Sequence, residues 1–145
     1  MQLSTRGRYA VRAMMEMAEN YESGLIQLKE IARRQEISEK YLEQIMAALR
    51  RNGHVYTQKG SSGGYRLSRP PGEITLLEII ESAEGSVAPV ECVDAPERCY
   101  RDVICADTCA VRGVWARLKG AVSRELASIN LAELAEEQRR CSFKN

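Results

Sequence analysis

The sequence predicts a mainly α protein, a winged helix-turn-helix with a long C-terminal helix. Three observations carry this. Apolar residues recur at helical spacing in three successive segments before residue 52. Two short strand-like runs then flank a glycine-rich tip. Further on, an apolar stripe continues from Val111 to Ile129.

The first helix is expected over 5–21, where Ala10, Met14, Met17 and Tyr21 share one face and Ser4 or Thr5 caps the start. Leu28, Ile31 and Ala32 mark a second helix over 28–35. A break at Glu36-Ile37-Ser38 follows, and Ser38 is a good N-cap. The third helix, about 39–51, has Leu42, Ile45, Met46 and Leu49 on its apolar face, and Gly53 is placed to stop it. His54–Lys59 and Tyr65–Ser68 read as a hairpin around Gly60-Ser61-Ser62-Gly63-Gly64. Pro70-Pro71-Gly72 marks a boundary, and Thr75 with Glu78 forms a capping box for a helix over 76–83. Residues 86–108 read as irregular; a long helix runs over about 109–129, and Asn130 with Glu133 caps a last short one. This divides the chain into a winged helix-turn-helix domain (1–70), a connecting helix with a cysteine-bearing loop (71–108), and a long helix with a tail (109–145).

The 145 residues fit one modest domain or a small domain with an appendage, and 44% hydrophobic content supports a core. No run approaches the ~20 apolar residues of a membrane span. No signal-peptide pattern opens the chain, so a cytoplasmic protein is expected. The net charge of +1 excludes a simple polycation but conceals an asymmetry. Residues 1–69 carry 12 Lys/Arg against 7 Asp/Glu, and residues 70–145 carry 9 against 13.

The order helix, break, helix, glycine-tipped hairpin suits duplex DNA. The third helix leaves a polar face free for a major groove. On it, Gln44 suits an adenine edge and Glu43 a cytosine amino group, while Lys40, Tyr41, Arg50 and Arg51 suit phosphates. Arg6, Arg8 and Arg12 add positive charge on the first helix, and Lys59, Ser61 and Ser62 occupy the wing tip. The competing reading is a helical core with solvated charges. His54, the only histidine, is expected at the surface of the wing base rather than as a ligand or catalytic base. No enzymatic activity is expected.

Cys92, Cys99, Cys105 and Cys109 have the spacing C-x6-C-x5-C-x3-C. In a reducing compartment such a group points to metal rather than disulfide. Four thiolates suit a zinc site or an iron–sulfur cluster, although no C-x2-C pair is present; unligated loop cysteines are the bland reading. Cys141 is expected to be a bystander, and Trp115 a core or interface anchor.

The segments LSTRGRYAVRAM, ISEKYLEQIMAALRRNGHV, KGSSGGYRLSRP, EITLLEIIESAEG and INLAEL resemble the iron–sulfur cluster regulators of the Rrf2 family of bacterial transcription factors. The resemblance spans residues 2–137. It implies a homodimer paired mainly through a long dimerisation helix at 109–129, with two wings spanning an operator palindrome. It places DNA contacts on Tyr41, Glu43, Gln44 and Lys59; family members often carry Arg where this chain has Lys59, and Arg suits a narrow minor groove better. It further implies a cluster held by three loop cysteines: Cys92, Cys99 and either Cys105, by spacing from Cys99, or Cys109, by distance to Trp115. The reading leans to Cys109, with Cys105 as an extra thiolate. Family members take a fourth ligand from a histidine three residues after the third cysteine, or from an acidic residue or histidine in the first helix. Here Thr108 or Arg112, and Arg8 and Arg12, stand there and cannot ligate. Either Cys105 supplies the fourth thiolate or the site is open, and both [2Fe–2S] and [4Fe–4S] clusters fit.

The leading expectation is a regulator that binds operator DNA and responds to iron, redox or nitric oxide state. One alternative is a cluster-free regulator of cysteine or sulfur metabolism controlled by a partner protein. Another is a zinc-binding or redox protein without DNA affinity.

Overall fold

A computed structural model of the chain describes residues 2–99 and 108–143. In chain order these form α1 (Thr5–Glu19), α2 (Leu28–Gln35), α3 (Glu39–Arg51), β1 (Val55–Gln58), β2 (Gly64–Leu67), α4 (Leu76–Glu84), α5 (Ala110–Ser128) and α6 (Leu131–Ser142). Short 3-10 turns occupy Tyr21–Ser23, Pro71–Glu73, Glu91–Val93 and Pro96–Arg98. The fold is the expected winged helix-turn-helix followed by a long helix.

Local chemistry explains the helix starts. Ser4 caps α1 by accepting from the Gly7 amide, and Ser38 caps α3 by accepting from the Tyr41 amide. Thr75 with Glu78 and Asn130 with Glu133 form reciprocal capping boxes on α4 and α6. Those two starts lie side by side: Leu76 N–H donates to the Ile129 carbonyl (2.9 Å) and Leu131 N–H to the Ile74 carbonyl (3.0 Å). α1 stops at Glu19, two residues before the expected end. There Asn20 Nδ2 donates to the Glu16 carbonyl (2.8 Å), and the chain tightens into a 3-10 turn.

The core joins early and late segments. Met14 and Met17 of α1, Ile31 of α2, and Leu42, Ile45, Met46 and Leu49 of α3 pack with Ile74, Ile79 and Leu131. Each such side chain contributes about 1.5–3 kcal/mol of burial. Glu16 is also buried; it accepts from Arg34 Nη1 (2.5 Å) and Gln35 Nε2 (2.9 Å), which joins α1 to α2. At the start of α1, the Glu84 carboxylate accepts from both the amide (2.8 Å) and the hydroxyl (2.6 Å) of Ser4. A Cβ on Gly7 would collide with that carboxylate.

The break between α2 and α3 is made by Glu36, which caps α2 in the left-handed region at φ 54°. A side chain costs about 1 kcal/mol there, and the Glu36 side chain is exposed. Glu36→Gly is therefore expected to stabilise the fold by about 0.5–1 kcal/mol, read as a higher urea midpoint at unchanged slope.

α5 has the amphipathic stripe but not one buried residue. Val111 is 55% exposed and Val114 46%, and Trp115, Leu118, Val122 and Leu126 are half-buried. α5 thus rests one side on α4 and the Glu91–Val93 turn, and leaves Val111 and Val114 uncovered among the described residues.

Candidate nucleic-acid interface and cysteine loop

α3 has the predicted bounds and the predicted division of faces. Lys40, Glu43, Gln44, Arg50 and Arg51 are exposed. No hydrogen bond or ion pair engages these five side chains among the described residues. Tyr41 is half-buried, its ring edge-on to Tyr9 at 5.9 Å and 73°. Tyr9 in turn lies 5.5 Å from the Arg12 guanidinium. Arg12 is committed elsewhere: it donates to the side chain (3.0 Å) and carbonyl (2.6 Å) of Gln35, closing the C-terminal end of α2. Arg12 remains exposed and keeps its positive charge on α1, with two of its donors held by Gln35. Arg8 is exposed and donates to Thr5 (3.1 Å).

The wing pairs Val55 with Leu67, Tyr56 with Arg66, Thr57 with Tyr65 and Gln58 with Gly64. Ile26 and Tyr65 exchange two further backbone bonds (2.8 and 2.9 Å), so the segment before α2 adds an edge to the hairpin. Gln27 Nε2 steadies the tip by donating to the Ser61 carbonyl (3.2 Å). Lys59, Ser61 and Ser62 are exposed there. Gly63 is required by close approach, since a Cβ would strike the Gln58 carbonyl. On the outer face, Arg66 stacks on the exposed ring of Tyr56 at 4.9 Å, a cross-strand pair that periodicity does not reveal.

His54 corrects an expectation: it is only 5% exposed. Its Nε2 meets the Ser82 hydroxyl at 2.9 Å and its Nδ1 faces Arg69 Nη1 at 3.5 Å. Arg69 Nη2 donates to Glu78 (2.6 Å), so the wing base is bonded to α4. Burial, then the Arg69 charge, pushes the imidazole below its ordinary pKa. The folded state thus keeps His54 neutral at a pH where the unfolded chain protonates it. The stability this confers is complete above about pH 6.5 and declines as pH falls from there toward the folded value. Melting temperature is expected to drop from pH 7 to 5.5, and less steeply in His54→Gln.

The cysteine loop starts after α4. Cys92 lies in the Glu91–Val93 turn, Cys99 follows the Pro96–Arg98 turn, and Cys109 immediately precedes α5. All three are half-buried, and none of them is in a disulfide. Arg112 Nε donates to the Cys92 carbonyl at 2.8 Å. The Asp94 carboxylate accepts from Lys119 of α5 and from Ser86, and these bonds lower its pKa from the usual carboxylate value. Cys105 lies outside the described residues. Among the described residues no three His, Cys, Asp or Glu side chains stand together as a metal-binding group. The donor chemistry nevertheless fits an iron–sulfur group: three half-buried soft thiols on a loop with little regular structure. Cys141 is exposed, away from the loop cysteines in sequence.

Residues 3–137 match the model of a family described as Rrf2, iron-dependent transcriptional regulator. The chain belongs to the Rrf2 family. Among its relatives, the HTH-type transcriptional regulator IscR of Xenorhabdus nematophila is 38% identical over 138 residues, covering 95% of this chain and 81% of that protein. IscR of Cronobacter sakazakii is 39% identical over the same length, covering 95% and 82%. Among solved structures, CymR, the global cysteine regulator of B. subtilis, superposes with a TM-score of 0.76 at 36% identity, covering 94% of this chain and 98% of that one. T. potens IscR superposes with a TM-score of 0.73 at 33% identity, covering 95% and 88%.

The chain is a bacterial transcription regulator of the DNA-binding kind, not an enzyme. No described helix is long and apolar enough to cross a membrane. In this Rrf2 protein the residues expected at DNA are all exposed except the half-buried Tyr41. Residue-by-residue reading missed the His54–Arg69–Glu78 network, the Asp94–Lys119 pair and the Arg112 bond to Cys92. Only the unusual lone histidine gave any signal for these.

Proposed function

We propose that this regulator binds operator DNA as a homodimer and answers to an iron–sulfur cluster held by loop cysteines. The observation supporting DNA readout is the exposed, unengaged polar face of α3 beside a glycine-tipped wing. α3 has 13 residues, about 20 Å of helix, which suits a major groove. Gln44 and Glu43 read base edges; Lys40, Tyr41, Arg50 and Arg51 engage phosphates, with Arg8 beside them; Lys59, Ser61 and Ser62 meet the flanking groove. The uncovered face of α5 supports pairing with a second copy, so that residues 109–145 serve as the dimerisation element, 1–70 as the DNA reader and 71–108 as the sensor.

Cys92, Cys99 and Cys109 are the proposed thiolate ligands, with Cys105 as the fourth. A bound cluster supplies iron–sulfur bonds that form or break with iron supply and oxidation. The protein's part is to hold the thiols half-buried and to join their loop to α5 through Arg112 and Lys119. A loop that changes shape then biases the setting of the two α3 helices.

Anaerobic loading with iron and sulfide, followed by visible absorbance and operator binding, tests this. Thiolate-to-iron absorbance with altered operator affinity is expected; colourless protein with normally regulated binding refutes the cluster. Gln44→Ala is expected to cost about 1–3 kcal/mol at one base position and relax preference there. Arg51→Ala is expected to weaken all duplexes alike and lower the salt slope by about one. A competition assay with single-base operator variants checks both.

The likeness to CymR favours a second reading, a cluster-free regulator of cysteine metabolism controlled by a partner protein. Unchanged regulation in Cys92→Ala and Cys99→Ala would select it.

A further inference from the structure

Arg112 occupies the third position of α5, three residues after Cys109, so the two share one side of the helix end. Its Nε donates to the carbonyl of Cys92, a residue 20 positions earlier in the chain. Lys119 lies one heptad beyond Arg112, about 10 Å along the same side of α5. It pairs with Asp94, two residues after Cys92, and Ser86 holds Asp94 from the other direction. The Cys92 turn is therefore pinned to α5 at two points. We propose that Arg112 is a positioning residue of the cysteine site, holding the Cys92 turn at the end of α5 where Cys109 sits.

The physical gain is preorganisation. Bringing together two thiolates separated by 16 intervening residues costs loop-closure entropy. A bond from the helix to the backbone of the earlier cysteine meets part of that cost before any metal arrives. A carbonyl acceptor leaves the Cys92 sulfur available, and an arginine cannot compete as a ligand. The proposal rests on the reading of Cys92 and Cys109 as ligands of one site.

The test uses full-length, reduced, metal-free protein. Iodoacetamide labelling followed by mass spectrometry reports each thiol, with exposed Cys141 as internal reference. Cobalt(II) alone, followed by its thiolate charge-transfer band, reports the assembled site. In Arg112→Ala, Cys92 labelling is expected to rise at least about threefold relative to Cys141, and cobalt affinity to fall about 10–100-fold. Arg112→Lys, which retains a donor, is expected to recover part of both. Circular dichroism confirms the fold, and Lys119→Ala, which removes only the second pin, is expected to shift the same two readouts less. Unchanged Cys92 labelling and cobalt affinity in Arg112→Ala overturn the proposal while leaving the thiolate site intact. Wild-type protein that takes up no cobalt overturns the thiolate site itself.

Discussion

Val114→Glu is expected to leave a folded monomer that has lost at least about 100-fold in operator affinity. Val114 is 46% exposed on a helix with no buried residue, so the substitution disturbs little within the chain. In a homodimer the same site lies within an apolar interface, where an unpaired carboxylate is costly. A single copy engages one half-site and forfeits the effective concentration that tethers the second, worth about 10²–10⁴ in avidity. The logarithmic salt slope is also expected to halve, because half the phosphate contacts are lost. Sedimentation should give a particle near 16.3 kDa, with an unchanged helical circular dichroism spectrum. A Val114→Glu protein that remains dimeric and binds normally would remove α5 from the interface.

Cys92→Ala, Cys99→Ala and Cys109→Ala are each expected to abolish stable cluster loading and to uncouple operator affinity from iron. Each removes one of the proposed thiolate ligands, and the neighbouring Arg98, Thr108 and Arg112 offer no replacement. Cys141→Ala is expected to behave as wild type, since Cys141 is exposed on α6. Cys105→Ala is the informative case: a fourth thiolate there means shifted absorbance bands and faster loss of iron rather than a colourless protein. Anaerobic absorbance and iron content per chain check all five variants. Full loading of the Cys92 or Cys109 variant would strike that residue from the ligand set.

Features that are local in sequence were legible. The Ser38 cap and the Leu42, Ile45, Met46 and Leu49 stripe each lie within four turns of helix, and α3 has the expected limits. The two capping boxes, Thr75 with Glu78 and Asn130 with Glu133, were equally readable because both partners fall inside one turn. What escaped has partners far away in the chain and no period. His54 meets Ser82 across 28 residues, and no pattern around position 54 announces that it is buried. Arg12 reads as one more cation on α1, and nothing near it announces its bonds to Gln35, 23 residues on. Arg112 bonds a backbone carbonyl, which every residue carries, so no residue type marks its target. The DNA face fell between these cases. Its residues were identifiable because a helix's polar side follows from its apolar one, but their freedom from internal pairing was visible only in three dimensions.

The Glu84 carboxylate, bonded to Ser4 at the head of α1, stands two residues before Ser86, which grips Asp94. The segment bearing Cys92 is thus moored at its upstream end to the first residues of the protein as well as to α5. A shift in that segment has a short mechanical route to the helix bearing Arg8 and Tyr9, and Tyr9 rests against Tyr41 of α3. Position 7 consequently matters for a reason unrelated to helix formation: a methyl group there would push the Glu84 carboxylate aside and cast off the mooring.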